Sequence, residues 1–107
     1  MRQNNQLDVY RMIADPNRRK ILELLQEEER PVQAFQSYLP ITLGAISQHL
    51  QLLYRSGLVS RTKRGKQRVY RLEANNLHEV DEWLEQFRNF WEDRLDRLGA
   101  YLDRRHS

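Results

Sequence analysis

Amide, hydroxyl and cationic side chains are concentrated in the middle of this 107-residue chain. Residues 31–72 contain seven arginines and lysines and no aspartate or glutamate, whereas residues 73–107 contain nine acidic and five basic side chains. A surface with uncompensated cations attracts polyanions, although many basic surfaces are only solvated. The complete absence of acids favours the first interpretation. The middle of the chain is therefore expected to bind a phosphate-rich polymer.

Side chains that can form specific hydrogen bonds lie in the segment just before most of these cations. Ile46, Leu50 and Leu53 recur at helical spacing and predict one buried stripe on a helix over about 42–55. The opposite face carries amides and hydroxyls that can read base edges in the major groove, where glutamine pairs best with adenine. Small or apolar residues at its start suit close approach and thymine methyls, and the basic residue at its end suits a phosphate. The predicted DNA contacts of this helix are Thr42, Leu43, Gly44, Ser47, Gln48, Gln51 and Arg55.

A cationic hairpin, or wing, is predicted after this helix, over about 58–72. Residues 58–63 and 68–72 each alternate in type, and Gly65 between them can take the positive φ of a tight turn. The register stays open, and with it whether Val69 or Tyr70 faces inward. Cations on such a hairpin reach the DNA backbone or an adjacent minor groove and supply salt-dependent affinity with little sequence information. The predicted contacts of the wing are Arg61, Lys63, Arg64, Lys66 and Arg68.

Helices are also predicted before the DNA-reading helix and after the wing. The first covers about 5–14, and the second begins where Asp15 caps the helix and Pro16 takes its first position. A short third helix is expected from Pro31 to about Tyr38, and a long last helix over about 75–104. The predicted fold is a mainly α winged helix-turn-helix (α+β) with five helices and one small β-hairpin. We expect a single domain over 1–107, with the winged-helix body at 5–72.

The long last helix carries apolar residues at alternating spacings of three and four. It would extend about 45 Å, which is longer than the preceding body can cover. Its apolar stripe therefore predicts a homodimer, formed with the first helix, although folding over its own core is an alternative. The aromatic residues of the stripe could also line an effector pocket, but such stripes usually form core and interface. The predicted interface residues are Leu7, Tyr10, Val80, Trp83, Leu84, Phe87, Phe90, Trp91, Leu95, Leu98 and Leu102.

Together these elements predict a sequence-specific regulator of transcription that binds double-stranded DNA. A homodimer would present two reading helices about one helical turn apart, so its site should be a pseudo-palindrome. The predicted mode of action is repression by occluding a promoter. The alternative is a protein-interaction module in which the winged helix is only a scaffold and the long helix binds a partner protein. The repressor hypothesis predicts DNA binding with a steep salt dependence, whereas the interaction-module hypothesis predicts weak DNA binding.

Several other classes of protein are not expected. The chain has no cysteine, which excludes disulfides, thiolate metal sites and cysteine nucleophiles. It has no apolar run of membrane-spanning length and no secretory signal, so a cytoplasmic location is expected. There is no cluster of histidines, no phosphate-binding glycine loop and no triad-like grouping, so neither an enzyme nor a cofactor is expected. The acids of the last helix alternate with arginines and predict a solvated, salt-bridged face.

His49 has two interpretations. It lies beside the predicted buried stripe of the DNA-reading helix, so it is either a phosphate contact or a partly buried packing residue. The packing role is the more common one for a histidine in such a position.

Several motifs of the chain together resemble the ArsR/SmtB family of bacterial transcriptional repressors. The resemblance covers nearly the whole chain and implies a winged-helix DNA-binding repressor. The last helix is similar to the metal-independent branch that includes the sporulation-delaying autorepressor. The residues that carry the resemblance are Ile13 to Arg19 with Ile21 and Leu22, Ile46 to Leu50 with Leu53, Ser56 to Val59, Gly65 to Arg68, Tyr70 to Leu72, and the apolar stripe from Trp83 to Leu102.

The chain departs from the metal-sensing members of that family. Their thiolate site has no counterpart, because residues 31–39 contain no cysteine. Their zinc site on the last helix aligns with Ala74, Asn76, Phe87 and Phe90, none of which is a useful zinc ligand. A shift by two residues brings in His78 and Glu92, but it also places asparagines where zinc requires histidine or carboxylate. No metal is therefore expected to bind.

Overall fold

The computed structural model describes residues 8–106, with side chains described for residues 8–99 and Leu102. The chain divides into two compact units, Met1–Leu77 and His78–Ser107. Leu7, one of the predicted interface residues, lies outside the described residues. In the part of the chain that is described, no helix is both long and apolar enough to cross a membrane.

The first unit begins with two short helices, α1 (Val9–Ala14) and α2 (Pro16–Glu27). A carboxylate oxygen of Asp15 accepts hydrogen bonds from the backbone N–H groups of Asn17 and Arg18, at 2.8 and 3.1 Å. Pro16 occupies the first turn of α2, where its missing N–H leaves no partner unsatisfied. The predicted start of the second helix is therefore confirmed.

The predicted third helix, from Pro31 to about Tyr38, is confirmed only as a short 3₁₀ helix and not as an α-helix. Residues 30 and 31 form a short strand, β1 (Arg30–Pro31), and residues 32–35 form a single 3₁₀ turn. β1 pairs with the wing through Arg30 opposite Tyr70, and this long-range pairing holds it extended. Pro31 lacks an N–H and fits a strand at the edge of a sheet. Residues 8–106 consequently contain four α-helices rather than the predicted five.

Arg30 is the one charged residue that is buried among the described residues, with only 7% of its surface exposed. Its Nε donates a hydrogen bond to the carbonyl of Leu24 at 3.1 Å, and its Nη2 donates one to Glu27 at 2.8 Å. Its guanidinium also lies 5.3 Å from the ring centroid of Tyr38. These contacts compensate the loss of hydration and fix the end of α2 against β1.

The wing is a hairpin of β2 (Val59–Arg64) and β3 (Gln67–Leu72), as predicted. The strands are antiparallel and lie in the order β1-β3-β2. Gly65 begins the two-residue turn with a φ of 63°, a conformation that favours glycine. Val69 and Tyr70 are both buried, because β3 is the central strand and is covered on both faces. The alternation rule, which assumes one solvated face, could not choose between them.

Helix α3 (Leu43–Arg55) is the predicted DNA-reading helix. The hydroxyl of Thr42 accepts a hydrogen bond from the N–H of Ala45 at 3.1 Å and caps its first turn. At its other end Gly57 has a φ of 86°, and the N–H of Leu58 donates to the carbonyl of Leu53 at 3.0 Å. This pattern is the Schellman ending of a helix.

The apolar core of the first unit lies between α2, α3 and the sheet. The side chains of the predicted stripe on α3 are fully buried within it, and the 3₁₀ turn adds Phe35 from between the two helices. Burial of this stripe fixes which face of α3 points outward. The largest fully buried side chains of the core are Phe35, Met12, Ile21, Ile46, Leu50, Leu53 and Leu58.

The second unit is a single helix, α4 (His78–His106), of 29 residues. It begins three residues later than predicted, because residues 74–77 form a 3₁₀ turn. Its apolar stripe is exposed, with Leu95 at 65% and Trp91 at 62% of their surfaces. The other large exposed members of the stripe are Trp83, Leu84, Phe87, Phe90, Leu98 and Leu102, whereas Val80 is partly buried.

Candidate nucleic-acid interface

The outward face of α3 is formed by the predicted side chains. Because the stripe of α3 is buried, the residues on the opposite side of the helix, which recur every three or four positions, share one exposed surface. Thr42 is also exposed, but its hydroxyl already accepts the capping hydrogen bond of the helix. The exposed members of this face are Leu43, Gly44, Ser47, Gln48, Gln51 and Arg55, and none of them is acidic.

Arg18 fixes the position of α3 against the first two helices. Its Nε donates a hydrogen bond to the carbonyl of Met12 at 2.9 Å, and its Nη2 donates one to the carbonyl of Arg11 at 3.0 Å. Its Nη1 lies 3.2 Å from Nδ1 of His49 on α3. Since a guanidinium can only donate, Nδ1 of His49 must be the acceptor. This contact and its partial burial favour the packing interpretation of His49.

Asp15 contributes to the same junction. Partial burial raises the pKa of Asp15, but hydrogen bonds from the N–H groups of Arg18 and Asn17, together with the positive charge of Arg18, outweigh that effect. The pKa of Asp15 therefore lies below its ordinary value, and its carboxylate stays ionised around neutral pH. Its contribution to stability is present above the pKa of an unfolded aspartate and is lost as the pH falls through the lower folded value.

Arg61 of β2 lies against α3. Its Nη1 donates a hydrogen bond to Oε1 of Gln51 at 3.0 Å, and its guanidinium lies 3.8 Å from the ring centroid of Tyr54. The side chain is only partly exposed. The sequence predicts Arg61 and Gln51 as DNA contacts but not their contact with each other, because they belong to different elements. Arg61 of the wing is thus hydrogen-bonded to Gln51 of α3.

The tip of the wing carries several exposed cations. Lys63 on β2 lies directly opposite Arg68 on β3, and both are exposed, as is Lys66 in the turn. Like charges at opposed positions of an antiparallel pair destabilise the pair. A polyanion that binds between them would relieve this repulsion. The arrangement is consistent with the predicted contacts to a DNA backbone.

Two acids that border the acid-free segment fold back onto it. Glu29 forms an ion pair with Arg64, and Glu73 lies 4.0 Å from Arg71. Glu73 also accepts a hydrogen bond from the hydroxyl of Ser60 at 2.6 Å. Counting charge along the sequence could not show this partial neutralisation, because Glu29 and Arg64 are brought together only by the sheet. Arg64 is therefore less available to an external anion than its neighbour Lys66.

The second unit has an apolar face and a charged face. On the apolar face the rings of Trp83 and Phe87 meet edge-on, with centroids 5.1 Å apart. They line a shallow apolar groove of about 290 Å³ together with Leu84, Phe90 and Trp91. On the charged face Arg88 donates a hydrogen bond to Asp81 at 2.6 Å and forms an ion pair with Glu85 at 2.9 Å. These pairs confirm the predicted salt-bridged face.

The residues considered as metal ligands are far apart on α4. His78 lies 3.9 Å from Glu82, whereas Glu92 is fourteen positions further along the helix, about 21 Å at the usual rise. His78 and Glu92 of one chain therefore cannot bind the same ion. Within residues 8–106 as described, no three or more histidine or acidic side chains come together as a metal site.

Comparison with known proteins finds relatives that cover most of the chain. The family described as bacterial regulatory protein, arsR family, matches residues 15–61. The transcriptional repressor SdpR of Bacillus subtilis (strain 168) is 30% identical over 82 residues, which cover 77% of this chain and 91% of that protein. The HTH-type transcriptional regulator Rv2034 of Mycobacterium tuberculosis is 33% identical over 94 residues, which cover 88% of this chain and 85% of that protein.

A solved structure of similar fold agrees with these relatives. It is the crystal structure of a "possible transcriptional regulator for arsenical resistance", which is 38% identical to this chain. The similarity covers 92% of this chain and 96% of that one, with a TM-score of 0.66. The fold is therefore shared with proteins named as regulators.

Proposed function

The chain belongs to the ArsR family of bacterial regulatory proteins and is a DNA-binding transcriptional regulator; on that premise we propose that it represses by occluding a promoter as a homodimer. Its site is a pseudo-palindrome, because a two-fold dimer presents two copies of α3. It acts in the cytoplasm, where bacterial DNA lies, and it is a regulator rather than an enzyme.

The observation that carries this proposal is the surface shared by α3 and the wing. An exposed, acid-free face of amides and hydroxyls lies on a helix, and exposed cations at Lys63, Lys66 and Arg68 lie on a hairpin of the same unit. A helix of this kind fits the major groove, and a cationic hairpin fits the phosphates beside it. The predicted DNA contacts on α3 and on the wing stand as the proposed contact set.

The exposed stripe of α4 supports the homodimer. Eight large apolar side chains lie exposed on one helix, and contiguous apolar surface of this extent is unusual for a monomer. A two-fold partner covers the stripe with its own copy, since such an interface uses the same patch twice. The proposed interface keeps the predicted residues of α4 together with Tyr10 of α1.

The absence of cysteine supports regulation without a soft metal or metalloid. One solved relative is named for arsenical resistance, and soft ions of that kind are bound through thiolates. This chain contains no thiolate. We expect its affinity for DNA to be the same with a chelator as with added zinc, as measured by fluorescence anisotropy.

The test of the proposed function is binding to DNA from upstream of its own gene, compared with a random duplex of equal length over a series of salt concentrations. Gln48→Ala should weaken binding to the specific site by about 1–3 kcal/mol and leave binding to random DNA nearly unchanged, because it removes a base contact. Gln86→Ala on α4 is the matched control and should change neither affinity.

Two results would contradict the proposal. If Gln48→Ala lost the same affinity for specific and for random DNA, Gln48 would not be a base contact. Weak and equal binding of the unchanged protein to every duplex, with a shallow salt dependence, would favour the protein-interaction alternative, in which α4 binds a partner.

A further inference from the structure

Two glutamines on the outward face of α3 have different surroundings. Oε1 of Gln51 accepts a hydrogen bond from Arg61 at 3.0 Å, whereas the exposed side chain of Gln48 has no side-chain hydrogen bond within the described part of the chain. We propose that Arg61 is a positioning residue that fixes Gln51 as a hydrogen-bond donor toward its base. The base read by Gln51 then presents an acceptor, and guanine O6 or thymine O4 suits it better than adenine, whose edge carries one acceptor, N7, beside the N6 donor.

The identity of the amide atom that faces Arg61 follows from chemistry. Carboxamide oxygen and nitrogen are hard to distinguish by shape, and their assignment rests on their partners. A guanidinium has five N–H donors and no acceptor, so only the oxygen of Gln51 can face it. With Oε1 directed to Arg61, the NH₂ group is the part of Gln51 that remains for a base edge.

This orientation disfavours the usual glutamine contact to adenine. That contact needs the oxygen to accept from adenine N6 while the nitrogen donates to N7, with both atoms directed at one base edge. In Gln51 one of the two lone pairs of that oxygen is already used by Arg61 of β2. The remaining donors match guanine, which presents only acceptors at O6 and N7, and thymine, which presents O4.

The position of Arg61 is itself restricted. Its guanidinium lies 3.8 Å from the ring centroid of Tyr54, and a planar cation stacked on an aromatic ring loses little further entropy when it forms a hydrogen bond. Its backbone is held in β2, where it pairs with Tyr70 of β3. Arg61 is also only partly exposed, unlike Lys63 two residues further along the same strand. Arg61 therefore acts on DNA through Gln51 instead of contacting a phosphate itself, which changes its role in the proposed contact set, and the phosphate contacts belong to the more exposed cations.

The proposal rests on the proposed function, since it concerns how a specific site is read. The experiment uses the full chain and a set of duplexes in which each base pair of the site is replaced in turn. Competition binding at one salt concentration gives the base preference at every position for the unchanged protein, Gln51→Ala, Arg61→Met and the double variant. The position that loses its preference in Gln51→Ala is the one read by Gln51.

We expect the unchanged protein to prefer guanine or thymine at that position. Arg61→Met should raise the relative affinity for adenine there by about tenfold, because the freed amide can then make the adenine contact. Preferences elsewhere should stay within about twofold, and Arg61→Met should add nothing to Gln51→Ala at that position. Lys63→Met is the matched control, and it should weaken all duplexes equally.

Arg61→Lys is a second variant in case the methionine disturbs folding. It keeps a donor for Gln51 but loses the planar group that stacks on Tyr54 and holds that donor in place, so a smaller shift toward adenine is expected. The proposal is overturned if the unchanged protein already prefers adenine or cytosine at that position. It is also overturned if both Arg61 variants weaken every duplex equally without changing a preference. A protein with no preference at any position would instead contradict the proposed function.

Discussion

Helices α3 and α4 have the same kind of apolar periodicity and opposite outcomes. On α3 the stripe of Ile46, Leu50 and Leu53 is fully buried within the first unit. On α4 a longer stripe of larger side chains is exposed, including Leu95 at 65% of its surface. Periodicity shows that one face of a helix needs an apolar partner. It does not show whether that partner belongs to the same chain.

The two helices also differ in the charge that they expose. The outward face of α3 lies in the acid-free segment, whereas the polar face of α4 pairs its acids with arginines such as Arg88 and Arg97. Ion pairs within one helix neutralise part of its charge. The charged surface of the first unit is therefore suited to a polyanion, and the apolar surface of the second unit is suited to the proposed partner subunit.

The largest expected effect comes from removing a buried leucine of α3. Leu53→Ala should lower the free energy of unfolding by about 2–5 kcal/mol, because it leaves a cavity in the core of the first unit. The loss should be the same at every protein concentration in urea titrations. Leu95→Ala on α4 is the matched variant, and its loss should depend on concentration. If both losses are equal and independent of concentration, the stripe of α4 is covered within its own chain.

A charge placed on the stripe of α4 should dissociate the homodimer. Phe87→Asp is expected to raise the dimer dissociation constant by about 100-fold or more, since an interface that covers Phe87 would have to bury an unpaired carboxylate. Sedimentation equilibrium measures this constant directly. Gln86→Glu adds the same charge at the neighbouring position and should leave the constant unchanged. An unaltered constant for Phe87→Asp would place the dimer contact elsewhere.

The smallest expected effect distinguishes two cations of the wing. Lys66→Ala should lower the slope of the salt dependence of DNA binding by about one, because one phosphate contact is lost. Arg64→Ala should lower it by less, since Glu29 already neutralises part of its charge. Glu29→Gln should correspondingly strengthen binding to any duplex. Equal slopes for the two alanine variants would show that DNA displaces Glu29 completely.

The elements with a clear periodicity of apolar residues were predictable from the sequence. The apolar stripes of α3 and α4 and the alternation around Gly65 gave the reading helix, the last helix and the wing, and Asp15 marked the start of α2. Strand β1 was missed because two residues carry no alternation. Its extended conformation depends on the pairing of Arg30 with Tyr70, forty residues further along the chain.

The candidate site was predictable as a set of exposed residues but not as a set of contacts. The buried stripe of α3 determines which of its side chains point outward. The contact of Arg61 with Gln51 depends on how β2 packs against α3, and the pair of Glu29 with Arg64 depends on the sheet. Local sequence patterns do not predict either contact. Arg18 was noted only as part of a family motif, although it joins three helices.

The hydrogen bonds that Arg18 makes to α1 place few constraints on the side chains of α1. On α1 its partners are the backbone carbonyls of Arg11 and Met12, and Arg19 likewise donates to the carbonyls of Ile13 and Ala14. Every residue type provides a carbonyl, so α1 can exchange its side chains over evolutionary time without losing these bonds. The junction depends instead on the two arginines of α2, while the exposed side chains of α1 outside the proposed interface can diversify.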